Sequence, residues 1–332
     1  MKKIKKPLLF LIFNRFDQTK LVFEKIRKYK PSMFFIAADG PRDNCQEAEI
    51  CKEIRSYVIE NIDWECEVYT LFRDKNLGCG IAVSSAISWF FEHVEDGLII
   101  EDDCLPSESF FIFCEQMLDL YKNHHEVMHI SGVNYLGQLF KINTYDFTLY
   151  SCIWGWATWR RAWKYYEYNI GNYSPNKLNH VILRNSNNDY NQFNFWNNYL
   201  IKLSEREIDT WDLQWQISVW MNFGICIMPA VNLVENIGFA EDALHTKNID
   251  SPLAKLKVYQ YNFDRIKKRK IKINYFLSDY IFYYAYLEKF ELNKNQLNSL
   301  KITIEQSLIH KLKSKELTFR DKIYIIRKKF FN

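Results

Sequence analysis

The chain has 332 residues, a formal net charge of +4, 48% hydrophobic residues and 25% charged ones. That is the composition of an ordinary globular protein, long enough for one large α/β domain plus an appendage. The charge excess is too small to argue for nucleic acid, which is not expected as a partner, and no apolar run reaches the roughly 18 to 20 residues of a membrane span.

The N-terminus, Met1 to Lys6, is basic and leads into the apolar run Leu8 to Phe13. Asn14-Arg15 interrupts that run and no small-residue cleavage site follows, so it reads as a buried strand rather than a signal peptide. Asp17 or Thr19 can cap a helix running to about Tyr29, and Phe34 to Ala38 form a second strand that ends in the turn signal Asp39-Gly40-Pro41. A helix over about Asn44 to Asn61, a strand over Glu67 to Phe72 and a helix after Asn76-Leu77-Gly78 follow. Gly97 to Ile100 is a fourth strand that runs straight into Glu101-Asp102-Asp103. Continuous apolar strands separated by helices specify a mostly parallel, Rossmann-like sheet covered on both faces, and such sheets bind ligands outside the carboxyl ends of their strands. Further on, the pattern predicts a helix from Phe110 to Tyr121, a short strand at Met128 to Ser131, a helix over about Trp211 to Asn222 and a strand at Ile225 to Met228. Residues 171–198 are rich in Asn and Tyr without strong periodicity. Beyond about Ser251 the composition shifts to Lys, Ile, Tyr and Phe, which places a boundary there: 1–250 as the main domain (halves 1–105 and 106–250) and 251–332 as a basic helical C-terminal extension.

Eight cysteines carry no CxxC pair and no zinc spacing. Several lie in apolar runs where a reduced thiol packs as a small hydrophobe, so a cytoplasmic protein is expected.

Three adjacent acids at a strand end repel by about 1 kcal/mol per pair in water, and more when shielded. A bound hard cation, Mg2+ or Mn2+, relieves that repulsion and keeps positions open for phosphate oxygens. Alternation along a strand points Glu101 and Asp103 one way and Asp102 the other unless the chain has already turned. Acids in the first turn of a helix capped near Ser107 are the other reading. Asp39, on the same sheet edge, suits either a hydrogen bond to a base or ribose or a plain turn before Gly40. The amides around Asn76 and Gly78, ahead of a helix, suit an anion.

The series Phe13-Asn14-Arg15, Ala38-Asp39-Gly40-Pro41-Arg42, Asn76-Leu77-Gly78 and Ile100-Glu101-Asp102-Asp103 resembles the nucleotide-binding half of GT-A glycosyltransferases. It is most similar to bacterial family-2-like enzymes and to the N-acetylglucosaminyltransferase I type, with Glu-Asp-Asp as the metal motif, and the likeness spans roughly residues 7–247. The resemblance implies a nucleotide-sugar donor, UDP-linked by analogy, with Asp39 at the base, Asp102 at the ribose or sugar, Asp103 on the metal, Glu101 beside it, and Asn14 and Arg15 lining the cleft. Trp154-Gly155-Trp156 is similar to the Trp/Gly loops that approach the donor sugar and acceptor. A late His completes the metal shell in many such enzymes, and His245 matches it in position. Inverting transfer to a hydroxyl needs one carboxylate base, for which Asp212 comes first and Asp209 second, both also readable as acids at a helix start.

The acceptor implied is a glycan or lipid-linked saccharide of bacterial surface polysaccharide synthesis. Phe319, Ile323, Ile326 and Phe330 fall at helical spacing among Arg320, Lys322, Arg327 and Lys329. Such a basic amphipathic helix suits an anionic membrane surface, with peripheral attachment to its inner face, or packing on the main domain. Rival readings are a sugar-1-phosphate nucleotidyltransferase and a non-catalytic carbohydrate-binding protein. The first calls for a Gly-rich N-terminal loop, where this chain has Asn14-Arg15-Phe16. The second accounts for the Trp clusters but not for the acid triplet.

Overall fold

The computed structural model describes residues 5–135, 144–186, 189–239, 252–261, 263 and 266–282. The chain divides into a compact unit, Met1–Ile281, and a second unit, Phe282–Asn332. The second lies outside the described residues apart from Phe282, and with it the expected amphipathic helix.

The first unit begins as the apolar runs foretell: β1 (Leu8–Ile12), α1 (Phe16–Tyr29), β2 (Met33–Ala38), α2 (Cys45–Glu60), β3 (Glu67–Phe72), α3 (Gly78–His93) and β4 (Asp96–Glu101). A short β5 (Cys104–Pro106) follows, then α4 (Glu108–Tyr121), β6 (Val127–Ser131), β7 (Tyr145–Thr148), β8 (Trp156–Trp159) and α5 (Arg160–Trp163). The chain continues through α6 (Pro175–Asn185), α7 (Tyr190–Ser204), α8 (Asp212–Met221), β9 (Ile225–Pro229), β10 (Val234–Asn236) and α9 (Tyr275–Ile281).

An eight-stranded sheet has the order β3-β2-β1-β4-β8-β6-β9-β7, and β10 pairs with β5 in a separate ribbon. The first four strands are parallel, with Leu8 opposite both Phe34 and Leu98. β8 then inserts antiparallel between β4 and β6, with Ile99 opposite Trp156 and Ile130 opposite Ala157. Parallel β-α-β crossovers place helices on both faces, so successive residues of one strand serve two cores. Leu8, Phe10 and Ile12 pack with Phe23 and Ile26 of α1 and Ile54 of α2. Leu9 and Leu11 pack on the other face with Ile87 and Phe90 of α3. Each such side chain, once fully buried, contributes roughly 1.5–3 kcal/mol.

Side-chain caps mark where α2 and α4 begin, whereas α1 starts after Arg15 without one. Asn44 accepts from the Gln46 and Glu47 amides at the start of α2, and Ser107 Oγ accepts from Phe110 N at the start of α4. The capping reading of the acid triplet is thereby set aside: β5 separates those acids from α4, and Ser107 caps it. Two further expectations change. The 171–198 stretch folds as α6 and α7, capped by Ser174 and Asp189. Past the expected boundary near Ser251, the chain as far as Ile281 clusters with the first unit. Tyr261 joins the main core, Asn274 donates to Asp146 Oδ2 at 2.9 Å, and Arg269 N donates to Tyr121 Oη at 3.0 Å. The Lys-rich composition there reads as a solvated helix, yet intervening aromatic and Asn residues pin the segment to β7.

Candidate functional site

The carboxyl ends of β1, β2 and β4 deliver Asn14-Arg15, Asp39 and Glu101 to one edge of the sheet. Immediately past β4 the chain turns, and the β5–β10 ribbon pairs Cys104 with Asn236. That ribbon folds Gly238 back over Asp103. Ile237 N donates to Asp103 O at 2.8 Å, and a Cβ on Gly238 would overlap the Asp103 carboxylate. The strand alternation expected for the triplet therefore stops at Glu101, and Arg15 reaches both of the following acids. Its Nη1 donates to Asp103 Oδ2 at 2.5 Å and lies 3.7 Å from Asp102 Oδ1. Asp102 Oδ2 accepts from Phe13 N at 3.0 Å, tying β4 to the end of β1.

The electrostatics are lopsided. Burial, then the Asp103, Asp102 and Asp212 charges, pushes the Glu101 carboxyl well above the usual carboxylate range, with Arg15 opposing. Asp102 moves the same way, through burial and then Asp103, against Arg15 and the Phe13 amide. Desolvation works against the Arg15 charge, but Asp102 and Asp103 outweigh it and hold the guanidinium protonated. Among the described residues Arg15 is the cation paired with the triplet. Cys79, unremarked in the sequence, stands amid the same field: burial raises its thiol, as do the charges of Glu101, Asp212, Asp209 and Asp103. Its position directly after Gly78 was the available signal.

Several expected residues occupy other roles. The α3 N-terminus does bind anions, but they are the chain's own. Asp39 accepts from Leu77 N at 3.0 Å and Gly78 N at 3.2 Å, while Asp209 Oδ1 accepts from Gly80 N at 2.9 Å. Gly78 has φ +79, and a Cβ there would overlap Asp209 Oδ2. Asn76 holds the same turn, donating to Gly40 O at 2.8 Å. Asn14 donates to Glu47 Oε1 at 2.8 Å. Arg42, whose guanidinium lies over Phe13, also binds Glu47 and, with that hydrogen bond as the main cause, brings its carboxyl down to about 2.

Asp212 opens α8, with Oδ1 accepting from Leu213 N at 2.9 Å and from Thr210 Oγ1. Asp209 does not cap that helix; it links the segment before α8 to α3.

The aromatic residues divide. Trp156 is 1% exposed, with His129 stacked on it at 5.0 Å and Trp211 at 5.5 Å. Its expected place against a donor is corrected: β8 is an interior strand, and no ring face is open to a sugar. Gly155 is buried at φ +59 beside Val234 and Phe110. Trp154 remains partly buried, edge-on to Tyr135 at 5.1 Å and to Phe239, the residue after Gly238, at 5.7 Å. His245 lies outside the described residues.

No three His, Cys, Asp or Glu side chains among the described residues form a ready-made metal cage. The donor set still fits a hard divalent cation. Mg2+-type sites take one or two carboxylates and leave the remaining positions to water and substrate phosphate. Asp103, backed by Glu101 and Asp102, is such a set, and a divalent ion would offset the mutual repulsion that helps hold the Glu101 and Asp102 carboxyls above their usual range.

No protein family matches the chain, and no curated protein does. Among solved structures, UDP-glucose pyrophosphorylase complexed with UDP-glucose is 16% identical, with 44% of this chain and 62% of that one covered and a TM-score of 0.25. Apo UDP-glucose pyrophosphorylase is 11% identical, with 69% and 93% covered and a TM-score of 0.32. Superpositions this loose carry no weight, and the α/β architecture rests on the strand order and registers given above.

Proposed function

We propose that this chain is a metal-dependent glycosyltransferase of the GT-A type, moving a sugar from a nucleoside diphosphate donor to a hydroxyl of a glycan or lipid-linked saccharide. The observation that carries the reading is the gathering of Glu101, Asp102, Asp103 and Arg15 at the carboxyl edge of a β3-β2-β1-β4 sheet, within electrostatic reach of Asp212. A diphosphate with a divalent ion matches that edge in charge, and the triplet's place beside the β1 and β2 ends leaves a nucleoside the adjoining cleft.

In this reading Asp103, with Glu101 and Asp102 behind it, holds Mn2+ or Mg2+, which when bound supplies charge stabilisation for the leaving diphosphate. Asp212 accepts the acceptor hydroxyl proton while the acceptor oxygen bonds to the sugar C1 and the C1–phosphate oxygen bond breaks. Thr210 and the Leu213 amide hold Asp212 Oδ1, which orients the carboxylate. Trp154, beside Phe239, supplies an apolar face near the donor. Asp39 and Asp209, both on the first turn of α3, tie the β2 end and the segment before α8 to that helix. A location on the cytoplasmic side of a membrane is part of the proposal. Among the described residues no helix is long and apolar enough to cross one.

The deciding test is release of free sugar and nucleoside diphosphate from a panel of UDP-, GDP- and CDP-sugars, with Mn2+ and with EDTA. Metal-dependent hydrolysis of one donor is expected. Pyrophosphate-dependent formation of a nucleoside triphosphate from the donor would instead identify a nucleotidyltransferase, and inert binding of saccharide alone a carbohydrate-binding protein.

A further inference from the structure

Arg15 occupies the carboxylate oxygen that a divalent cation would take in the proposed function. Asp103 cannot turn away from either: Gly238 walls one side of its carboxylate, Ile237 N holds its carbonyl, and the Cys104 thiol lies 3.4 Å from Oδ1. Oδ2 carries the guanidinium at 2.5 Å. Of the two partners Arg15 is the less enclosed. Its backbone is fixed where α1 starts, with Thr19 N donating to Arg15 O at 2.9 Å, but its side chain is 29% exposed and reaches Asp103 through a flexible stem. A +1 and a +2 charge on one carboxylate oxygen repel by several kcal/mol even at an effective dielectric near 20.

We propose that Arg15 is a placeholder cation: it neutralises Asp103 in the donor-free protein, leaves when a divalent ion takes that carboxylate, and transfers to the anionic diphosphate that arrives with the ion. The inference rests on the metal site of the proposed function. A planar guanidinium suits both partners, since it binds carboxylate and phosphate alike. The consequence is a binding order. The ion alone must evict Arg15 into water, whereas ion plus diphosphate gives Arg15 a new partner, so the two ligands reinforce each other reciprocally.

The test is a titration of Mn2+ followed by the paramagnetic resonance of the free ion, on wild type, Arg15→Gln and Arg15→Lys, each alone and with UDP or GDP. Thermal melting is read in parallel. Wild type is expected to bind Mn2+ weakly by itself and about tenfold or more tightly with the nucleotide. Arg15→Gln is expected to bind Mn2+ alone about tenfold tighter than wild type, to lose most of the nucleotide's effect, and to melt lower without metal but recover with it. Should Arg15→Gln not fold, Arg15→Lys decides, with a severalfold gain in affinity for Mn2+ alone expected from its single-point contact. Unchanged or weaker Mn2+ binding by these variants, beside nucleotide-dependent binding by wild type, overturns the placeholder role alone. No Mn2+ binding by any form with any nucleotide removes the metal site and this inference together.

Discussion

Asp103 and Asp212 bear the two charges that the proposed chemistry needs, and the fold treats them differently. Asp103 sits in the turn after β4, enclosed by the Gly238 backbone and faced by Arg15. Asp103→Ala removes the oxygen on which the divalent ion of the proposed function would depend, so metal-dependent donor hydrolysis is expected to vanish. Activity surviving at saturating Mn2+ would exclude it as the ligand. Asp212 stands at the first turn of α8, its Oδ1 accepting from Leu213 N and Thr210 Oγ1, in a field shared with Glu101. Asp212→Asn keeps that geometry but accepts no proton. Turnover is expected to fall by about 10²–10⁴-fold with donor KM near wild type, the usual span for losing a general base. Near-normal turnover would place the base elsewhere. Arg15, read from the sequence as cleft lining, gains a sharper meaning only from its distances to Asp102 and Asp103. No spacing in the chain reveals that one side chain spans both.

At the level of elements, α3 and β8 decide how the site is held. Two carboxylates from distant segments, Asp39 and Asp209, sit on the first turn of α3 and satisfy amides that every helix start leaves open. Gly78→Ala places a Cβ against Asp209 at a positive φ, and a loss of about 1–3 kcal/mol in denaturant unfolding is expected. An unchanged midpoint would show that this contact yields freely. β8 brings Trp156 into the interior, where His129 lies between partners that fix its tautomer: Nε2 donates to Cys152 O at 3.1 Å and Nδ1 accepts from Trp215 Nε1 at 3.2 Å. Burial brings His129 down to about 3, so it stays neutral in the folded chain while the unfolded chain takes up a proton below about pH 6.5. The sign is destabilising on acidification. Stability is expected to fall from pH 6.5 toward pH 3 at about 1.4 kcal/mol per unit, roughly 2 kcal/mol by pH 5. His129→Gln should lose that slope relative to wild type in urea titrations, and parallel curves for the two would show that His129 does not titrate on unfolding.

For the molecule as a whole, one α/β unit reaches to Ile281 and carries the acidic edge at the ends of β1, β2 and β4. The proposed function includes a lipid-linked acceptor, and the basic pattern of residues 315–332 is the sequence feature expected to meet an anionic surface. Flotation with vesicles containing anionic lipid is expected to carry the full chain and to lose it on deletion of 315–332. Equal flotation of both would assign membrane attachment to another surface.

The sequence by itself determined the parallel half of the sheet. Runs such as Leu8 to Phe13 and Gly97 to Ile100 are apolar at every position, which only a strand buried on both faces requires, and Asn44 and Ser107 mark helix starts through purely local hydrogen bonds. The acid triplet was equally legible, because three adjacent carboxylates after such a strand are an electrostatic anomaly in any fold. What only the tertiary structure decided is the placement of partners far apart in the chain. Trp156 looked like a binding loop until β8 took it between β4 and β6; Asp209 looked like a base or a cap of its own helix until it met Gly80; and Arg15 has its two carboxylates 87 and 88 residues away. Local patterns encode burial and turns, whereas the pairing of charges across a cleft depends on which strand ends the topology makes neighbours, and that order is a property of the packed sheet.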